Sequence, residues 1–334
     1  MALDLSFIWA GLIAFAVLAY VMLDGFDLGV GILFPLIEGE KNRDLAMNTV
    51  APVWDGNETW LVLGGGGLFA VFPLAYAVVM PALYAPIIAM LLALVFRGVA
   101  FEFRWRTRRA KFLWDLSFFG GSLLATFAQG VALGALVQGI AVENRAYAGG
   151  NWDWLTAFSL LTGIALVVGY ALLGATWLVM KTDGSVRGIA ERAAWVTGGG
   201  TLALIGVISL VTPFLNPAYL ARWFALPNAL FTVWVPMLLL VAAYVFVRGL
   251  REGRDTWPFL AAQAMFVLSF IGLGISFYPY IVPPSLTIAQ AAAPDASLGF
   301  LLAGALVLVP MILAYTAYAY WVFRGKVDPE SGYH

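Results

Sequence analysis

Two aspartates stand three residues apart within an apolar run, Asp24-Gly25-Phe26-Asp27-Leu28-Gly29-Val30-Gly31. That spacing puts both carboxylates on one helical face, and glycines at 25, 29 and 31 let a second backbone come close. A second acid pair with the same spacing follows in Trp54-Asp55-Gly56-Asn57-Glu58-Thr59-Trp60, ahead of four glycines at 64–67. A third apolar run carries Phe96-Arg97-Gly98-Val99-Ala100-Phe101-Glu102-Phe103-Arg104. An ionisable group at membrane depth costs at least about 2.5–3.5 kcal/mol at the helix centre, so each requires a partner, water or a task. One arginine cannot neutralise the five acids Asp24, Asp27, Asp55, Glu58 and Glu102. Some must be protonated, hydrated or paired with a neighbouring subunit. Carboxylates gathered in this way, and hydrated through glycine-lined gaps, can relay protons. The competing reading is interfacial. In it Arg97 snorkels to the headgroups while the acids, with Asp115 further on, cap helices or pair with loop arginines. For the glycine tetrad, the alternative to a hydrated gap is close helix packing.

The elements that must hold these residues are membrane helices. Of 334 residues 62% are apolar and 11% charged, against roughly 45–50% and 25% in soluble domains. Nine apolar runs reach spanning length, at 7–37, 50–72, 74–104, 112–140, 154–181, 190–214, 226–249, 257–280 and 297–324. The pattern predicts an all-α integral membrane protein of nine transmembrane helices in a single domain, 1–334. Within it we expect a first four-helix bundle over 1–140, a second over 154–280, and an additional peripheral helix over 297–324. An echo of Ala19-Tyr20 in Gly169-Tyr170, and of Arg97-Gly98 in Arg248-Gly249, at an offset of about 150 residues, fits that division. The first run is too long for one perpendicular span, so it tilts or carries an inner extension around Pro35.

Fifteen of the 18 basic residues fall in alternate loops and the C-terminal tail, from Lys41 and Arg43 through Arg104, Arg106, Arg108, Arg109 and Lys111 to Arg324 and Lys326. The positive-inside rule then places the N-terminus outside and the C-terminus in the cytoplasm, which requires an odd number of spans. Met1–Ser6 has no basic residue and does not read as a cleavable signal. Aromatic residues gather near span ends, as in Asn151-Trp152-Asp153-Trp154 and Tyr278-Pro279-Tyr280, matching interfacial belts. Counting back from Arg104 at 1.5 Å per residue puts Arg97 about 10 Å into the membrane. Asp24, Asp27, Asp55 and Glu58 fall in the same cytoplasmic third.

The chain lacks cysteine, and its single histidine, His334, is the last residue. Thiolate chemistry and internal histidine ligation of haem, copper or zinc are therefore excluded for this polypeptide. A net charge of −1 offers no basic footprint for nucleic acid. The glycine tetrad lacks the Lys-Ser/Thr of a phosphate-binding loop. Two classes remain open: a proton- or ion-coupled transporter acting alone, and a subunit of a redox complex whose cofactors sit elsewhere. A transporter predicts polar, broken helices at the midplane, where this chain is mostly Ala, Leu, Val and Gly. A pure scaffold is the third reading.

On these motifs the sequence resembles subunit II of the cytochrome bd-type quinol oxidases. Matching stretches are Asp24-Gly-Phe-Asp27-Leu-Gly-Val-Gly31, Ala51-Pro-Val-Trp54-Asp55-Gly-Asn57, Trp60-Leu61, Gly66-Gly-Leu-Phe69-Ala70, Phe96-Arg97, Gly174-Ala-Thr176, Phe277-Tyr-Pro279, Val309-Pro310 and Tyr315-Thr-Ala-Tyr318. They run through essentially the whole chain. The form at 55–60 resembles the cyanide-insensitive branch, where other members tend to carry Gln in place of Glu58. The resemblance implies a haem-bearing subunit I with two b-type haems and a d-type, or third b-type, haem. It implies quinol as substrate, dioxygen reduced to water, and a proton gradient made without pumping. It also implies a bacterial cytoplasmic (inner) membrane location, with membrane lipid and a small accessory subunit as further partners. This chain would ligate no haem. It would supply a cytoplasmic proton path through Asp55 first, then Asp24 and Asp27, with Glu58, Arg97 and Glu102 as further candidates. Trp60 would line an oxygen or proton route at the subunit interface.

Overall fold

The computed structural model describes residues 4–107 and 109–328; Arg108 of the basic loop and His334 lie outside them. Asp4 opens α1 (Leu5–Leu33), its carboxylate accepting from the Ser6 and Phe7 amides at 3.0 and 3.4 Å. A 3-10 turn over Phe34–Leu36 is the extension expected around Pro35. Next come α2 (Glu40–Asn48), α3 (Trp54–Val71), α4 (Pro73–Ala82), α5 (Tyr84–Arg106) and α6 (Lys111–Gln138). A two-residue hairpin, β1 (Val142–Glu143) and β2 (Ala146–Tyr147), leads to α7 (Ala157–Lys181). A capping box between Thr156 and Ser159 starts that helix. The remainder is α8 (Gly184–Leu215), α9 (Pro217–Phe224), α10 (Asn228–Thr232), α11 (Trp234–Arg251) and α12 (Trp257–Phe277). A second small hairpin, β3 (Tyr280–Val282) with β4 (Leu286–Thr287), precedes α13 (Ile288–Ala291) and α14 (Asp295–Val322).

Among the described residues, eight helices are long and apolar enough to cross a membrane, and α3 with α4 makes nine if that pair is taken as one span. The pair is bent by 119°, and here the outcome differs from the expected runs. Residues 74–104 do not form one helix. Pro73 has no amide to continue α3, and the Pro86 ring excludes the carbonyl of Ala82, where α4 stops. The run expected from residue 50 begins helically only at Trp54, because Pro52 sits within a preceding turn.

Helix α1 runs through the centre, against α3, α6 and α7. At Gly29 a Cβ would overlap the Tyr170 carbonyl of α7 and lie 2.6 Å from the Gly174 amide. At Gly31 it would overlap the Ser122 hydroxyl of α6. These glycines set backbone-to-backbone contact at the level of Asp24 and Asp27. The tetrad behaves differently: Gly64 and Gly67 touch Val17 and Ile13 of α1, while Gly65 and Gly66 face open space.

Helix α14 is nearly unpacked, with Phe300, Leu306, Met311 and Tyr315 exposed, and it is pinned at three heights. The Trp9 indole donates to the Leu298 carbonyl at 3.0 Å, and the Tyr320 hydroxyl to Asn57 Oδ1 at 3.0 Å. Lys181 Nζ donates to the Phe323 and Gly325 carbonyls at 2.6 and 2.8 Å, closing the helix's C-terminal end. Beyond it Lys326 pairs with Asp183 at 2.5 Å and Asp255 at 3.1 Å.

Candidate functional site

The structure brings four of the sequence candidates together, three carboxylates around the Arg97 guanidinium. Arg97, on α5, donates through Nη1 to Glu58 Oε1 at 2.5 Å. Its Nη2 stands 3.5 Å from Asp24 Oδ1 and 4.0 Å from Asp27 Oδ2. The side chains of Asp24, Asp27 and Arg97 are fully buried, and that of Glu58 is 23% exposed. Asp55, one turn earlier on α3, is exposed, and its carboxylate makes no hydrogen bond to the described residues. Burying charge demands pairing, and here three carboxylates share one cation. Asp24 Oδ1 and Oδ2, Asp27 Oδ1, and Arg97 Nε and Nη2 have no direct hydrogen-bond partner.

An aromatic pair roofs the arginine toward the basic end of the molecule. Trp54 and Phe101 stack with centroids 4.8 Å apart and planes within 5°. The Arg97 guanidinium lies 5.9 Å and 5.3 Å from those two ring centres, within cation–π range. Below this roof lies a separate ionic layer: Arg104 pairs with Asp115 at 2.6 Å and Asp44 at 2.5 Å, and Arg43 reaches Asp115 at 3.0 Å. Lys111 pairs with Glu40 and holds that carboxyl below its ordinary range. Arg104 and Asp115 thus belong to a clamp between α2, α5 and α6, in keeping with the interfacial reading of Asp115.

Two candidates stand apart. Glu102 points away from the cluster, 66% exposed and 4.0 Å from Arg106 on the next turn. Exposed pairs of this kind contribute little, so Glu102→Gln should leave thermal stability and turnover within error of wild type. Trp60 is fully buried against α1, edge-on to Phe15 at 5.7 Å, and its indole N–H has no partner. It faces inward, away from the exposed side of α3.

Sequence reasoning passed over five polar residues that complete the site. Asn57 Nδ2 donates to Asp27 Oδ2 at 2.6 Å and to the Leu23 carbonyl at 3.2 Å. Gln129 of α6 donates to the Tyr20 hydroxyl at 2.7 Å and accepts from Tyr170 at 3.3 Å. Tyr320 of α14 closes the Asn57 side. Signals were present: Tyr20 lies one turn from Asp24, and Gln129 is an amide in the interior of an apolar span.

Sequence comparison decides the family. The model for "Cytochrome bd terminal oxidase subunit II" matches residues 5–323. This chain belongs to that family. It is 30% identical over 363 residues to cytochrome bd-I ubiquinol oxidase subunit 2 of Escherichia coli K12, covering 98% of this chain and 96% of that protein. It is also 30% identical over 332 residues to cytochrome bd ubiquinol oxidase subunit 2 of Bacillus subtilis 168, covering 96% of each. The bd oxidase structure from Geobacillus thermodenitrificans superposes with a TM-score of 0.75 at 19% identity, over 96% of this chain and 99% of that one, and shares its fold. Membership of this subunit II family makes the chain part of an oxidoreductase complex that carries haem. Of the common haem ligands this chain has no cysteine, and no histidine except His334.

Proposed function

We propose that this subunit II chain serves a quinol oxidase by supporting a haem-bearing subunit I and by passing it protons drawn from the cytoplasm. The complex would sit in the bacterial inner membrane with the basic end of this chain, and its C-terminus, in the cytoplasm. Quinol oxidation and dioxygen reduction to water would take place on the partner, with no pumping. The observation that carries this reading is the position of Glu58. Glu58 pairs with Arg97 of the buried cluster at 2.5 Å while standing partly exposed, one helical turn from the exposed Asp55.

The stacked Trp54 and Phe101 stand between the cluster and the Arg104 layer. A proton therefore enters beside that pair, along α3. Asp55 and Glu58 lie at helical spacing from Val62, Gly66 and Phe69, and Asp55, Val62, Gly66 and Phe69 are exposed. Subunit I would cover this stripe and meet the carboxylates there. A lone transporter is disfavoured, because the buried charges open sideways through one helix face and not along a central passage.

Asp55→Asn in the assembled complex tests the path. Oxygen consumption should fall at least about tenfold, an effect of about 1.4 kcal/mol on the barrier, while the haem absorption spectrum is unchanged. Full turnover with full haem content would remove Asp55 from the path. Loss of haem together with activity would assign it to assembly.

A further inference from the structure

We infer that Ser122 and Thr126 of α6 wall an internal water site against Asp24, Asp27 and Arg97, in which ordered water bridges the carboxylates and the guanidinium. The site goes beyond the proton-handling reading: it follows from hydrogen-bond balance and stands whether or not protons pass through the acids.

Unused donors and acceptors carry the inference. Asp24 Oδ1 and Oδ2 and Asp27 Oδ1 accept no direct hydrogen bond, and Arg97 Nε and Nη2 donate none. Nη2 comes to 3.5 Å from Asp24 Oδ1 and 4.0 Å from Asp27 Oδ2, too far for good direct bonds. A water molecule about 2.8 Å from each atom closes either gap.

The hydroxyls of Ser122 and Thr126 are also fully buried and without a direct partner. Other hydroxyls of the spanning helices behave differently. Thr162, Thr176, Thr197 and Thr212 each donate to the carbonyl four residues earlier, at 3.1, 2.9, 2.8 and 2.7 Å, the usual local solution in an apolar helix. Ser122 and Thr126 do not take up the equivalent carbonyls of Phe118 and Ser122.

Helix packing turns both hydroxyls toward the acids. Tyr20, Asp24, Asp27 and Gly31 follow at helical spacing on one face of α1, as do Ser122, Thr126 and Gln129 on α6. The two faces meet at both ends: a Cβ on Gly31 would overlap the Ser122 hydroxyl, and Gln129 Nε2 donates to the Tyr20 oxygen at 2.7 Å. Thr126 falls between these points on α6, as Asp24 and Asp27 do on α1. Arg97 enters from the other flank, where a Cβ on Gly121, beside Ser122, would lie 3.0 Å from its amide nitrogen.

The balance selects the ligand. A cation would serve the carboxylate oxygens but confront Arg97 with a second positive charge. An anion would serve Arg97 and repel the acids. Water both donates and accepts, typically making about three bonds in a polar interior, and the two hydroxyls can give or take as it turns.

The test is cryo-electron microscopy of the assembled complex at a resolution that shows ordered water. Density should lie about 2.5–3.2 Å from Ser122 Oγ or Thr126 Oγ1 and from a free oxygen of Asp24 or Asp27. Ser122→Ala and Thr126→Val should each lose the peak at the hydroxyl removed. Thr176→Val is the control: that hydroxyl of α7 donates to the Leu172 carbonyl at 2.9 Å, and its loss should leave the water unchanged. Absence of these peaks from the wild-type map overturns the inference, as does their persistence in both variants. A peak about 2.3–2.6 Å from several oxygens would be a bound metal ion and overturns it too. The same water in Asp55→Asn, whatever that variant does to turnover, keeps this site separate from the proton path.

Discussion

Arg97→Gln should remove the folded protein from the membrane fraction. The substitution keeps a polar side chain of similar reach but takes away the one cation shared by Asp24, Asp27 and Glu58. Deleting one partner of a buried pair costs about 3–5 kcal/mol because the other charge is left uncompensated, a large part of a marginal stability of about 5–15 kcal/mol. Here three acids lose their partner together, two of them fully buried. The only relief is protonation of carboxyls that then lack acceptors. The measurement is folded protein recovered by size exclusion after detergent extraction. Combining Arg97→Gln with Asp24→Asn and Glu58→Gln restores charge balance apart from Asp27, and should recover folded protein without recovering turnover. Wild-type levels of the single variant would mean that the acids are neutralised by something other than this arginine.

Gly29→Ala should be nearly as damaging, for a steric reason. The added carbon falls on the Tyr170 carbonyl of α7, a backbone atom that no rotamer change can move aside. Ordinary overpacking costs about 1–3 kcal/mol, and an obstacle of this kind sits at or above the top of that range. Separating α1 from α7 also stretches the link from Tyr170 through Gln129 to Tyr20. Gly199→Ala and Gly206→Ala provide the contrast, since both positions of α8 face open space. A thermal midpoint lowered in the first variant and unchanged in the other two is the expected pattern. An unchanged midpoint in Gly29→Ala would show that the crossing has slack.

These expectations separate what the sequence exposes from what only packing reveals. Length and hydropathy located most of the membrane helices to within a few residues, because a bilayer sets both, although α8 starts at Gly184 and α3 only at Trp54. The interruption at 72–83 was written in Pro73, Pro81 and Pro86, but hydropathy reads through proline and merged the pieces. Glycines 25, 29 and 31 read correctly as a contact face. The tetrad at 64–67 did not resolve, because composition cannot tell a glycine facing a neighbour from one facing open space. The charged core of the site was legible as charge: Asp24, Asp27, Glu58 and Arg97 do meet. Glu102 shares their depth but lies on the far side of α5, since depth fixes height and says nothing about azimuth. The amide and tyrosine partners come from helices more than 100 residues away in the chain, at Gln129, Tyr170 and Tyr320, and local spacing cannot register such meetings.

Order of synthesis gives α14 a further consequence. It leaves the ribosome after α1 to α13; it carries Tyr320, the partner of Asn57, and is followed by the Phe323 and Gly325 carbonyls that receive the Lys181 ammonium. A chain cut short before residue 320 would leave the Asn57 side-chain oxygen and the Lys181 ammonium without these partners. Those two flaws disappear only when the final turns arrive. The polar partners that α3 and α7 leave open are thus supplied from the far end of the chain, so these two helices reach their final hydrogen bonding only after α14 has docked.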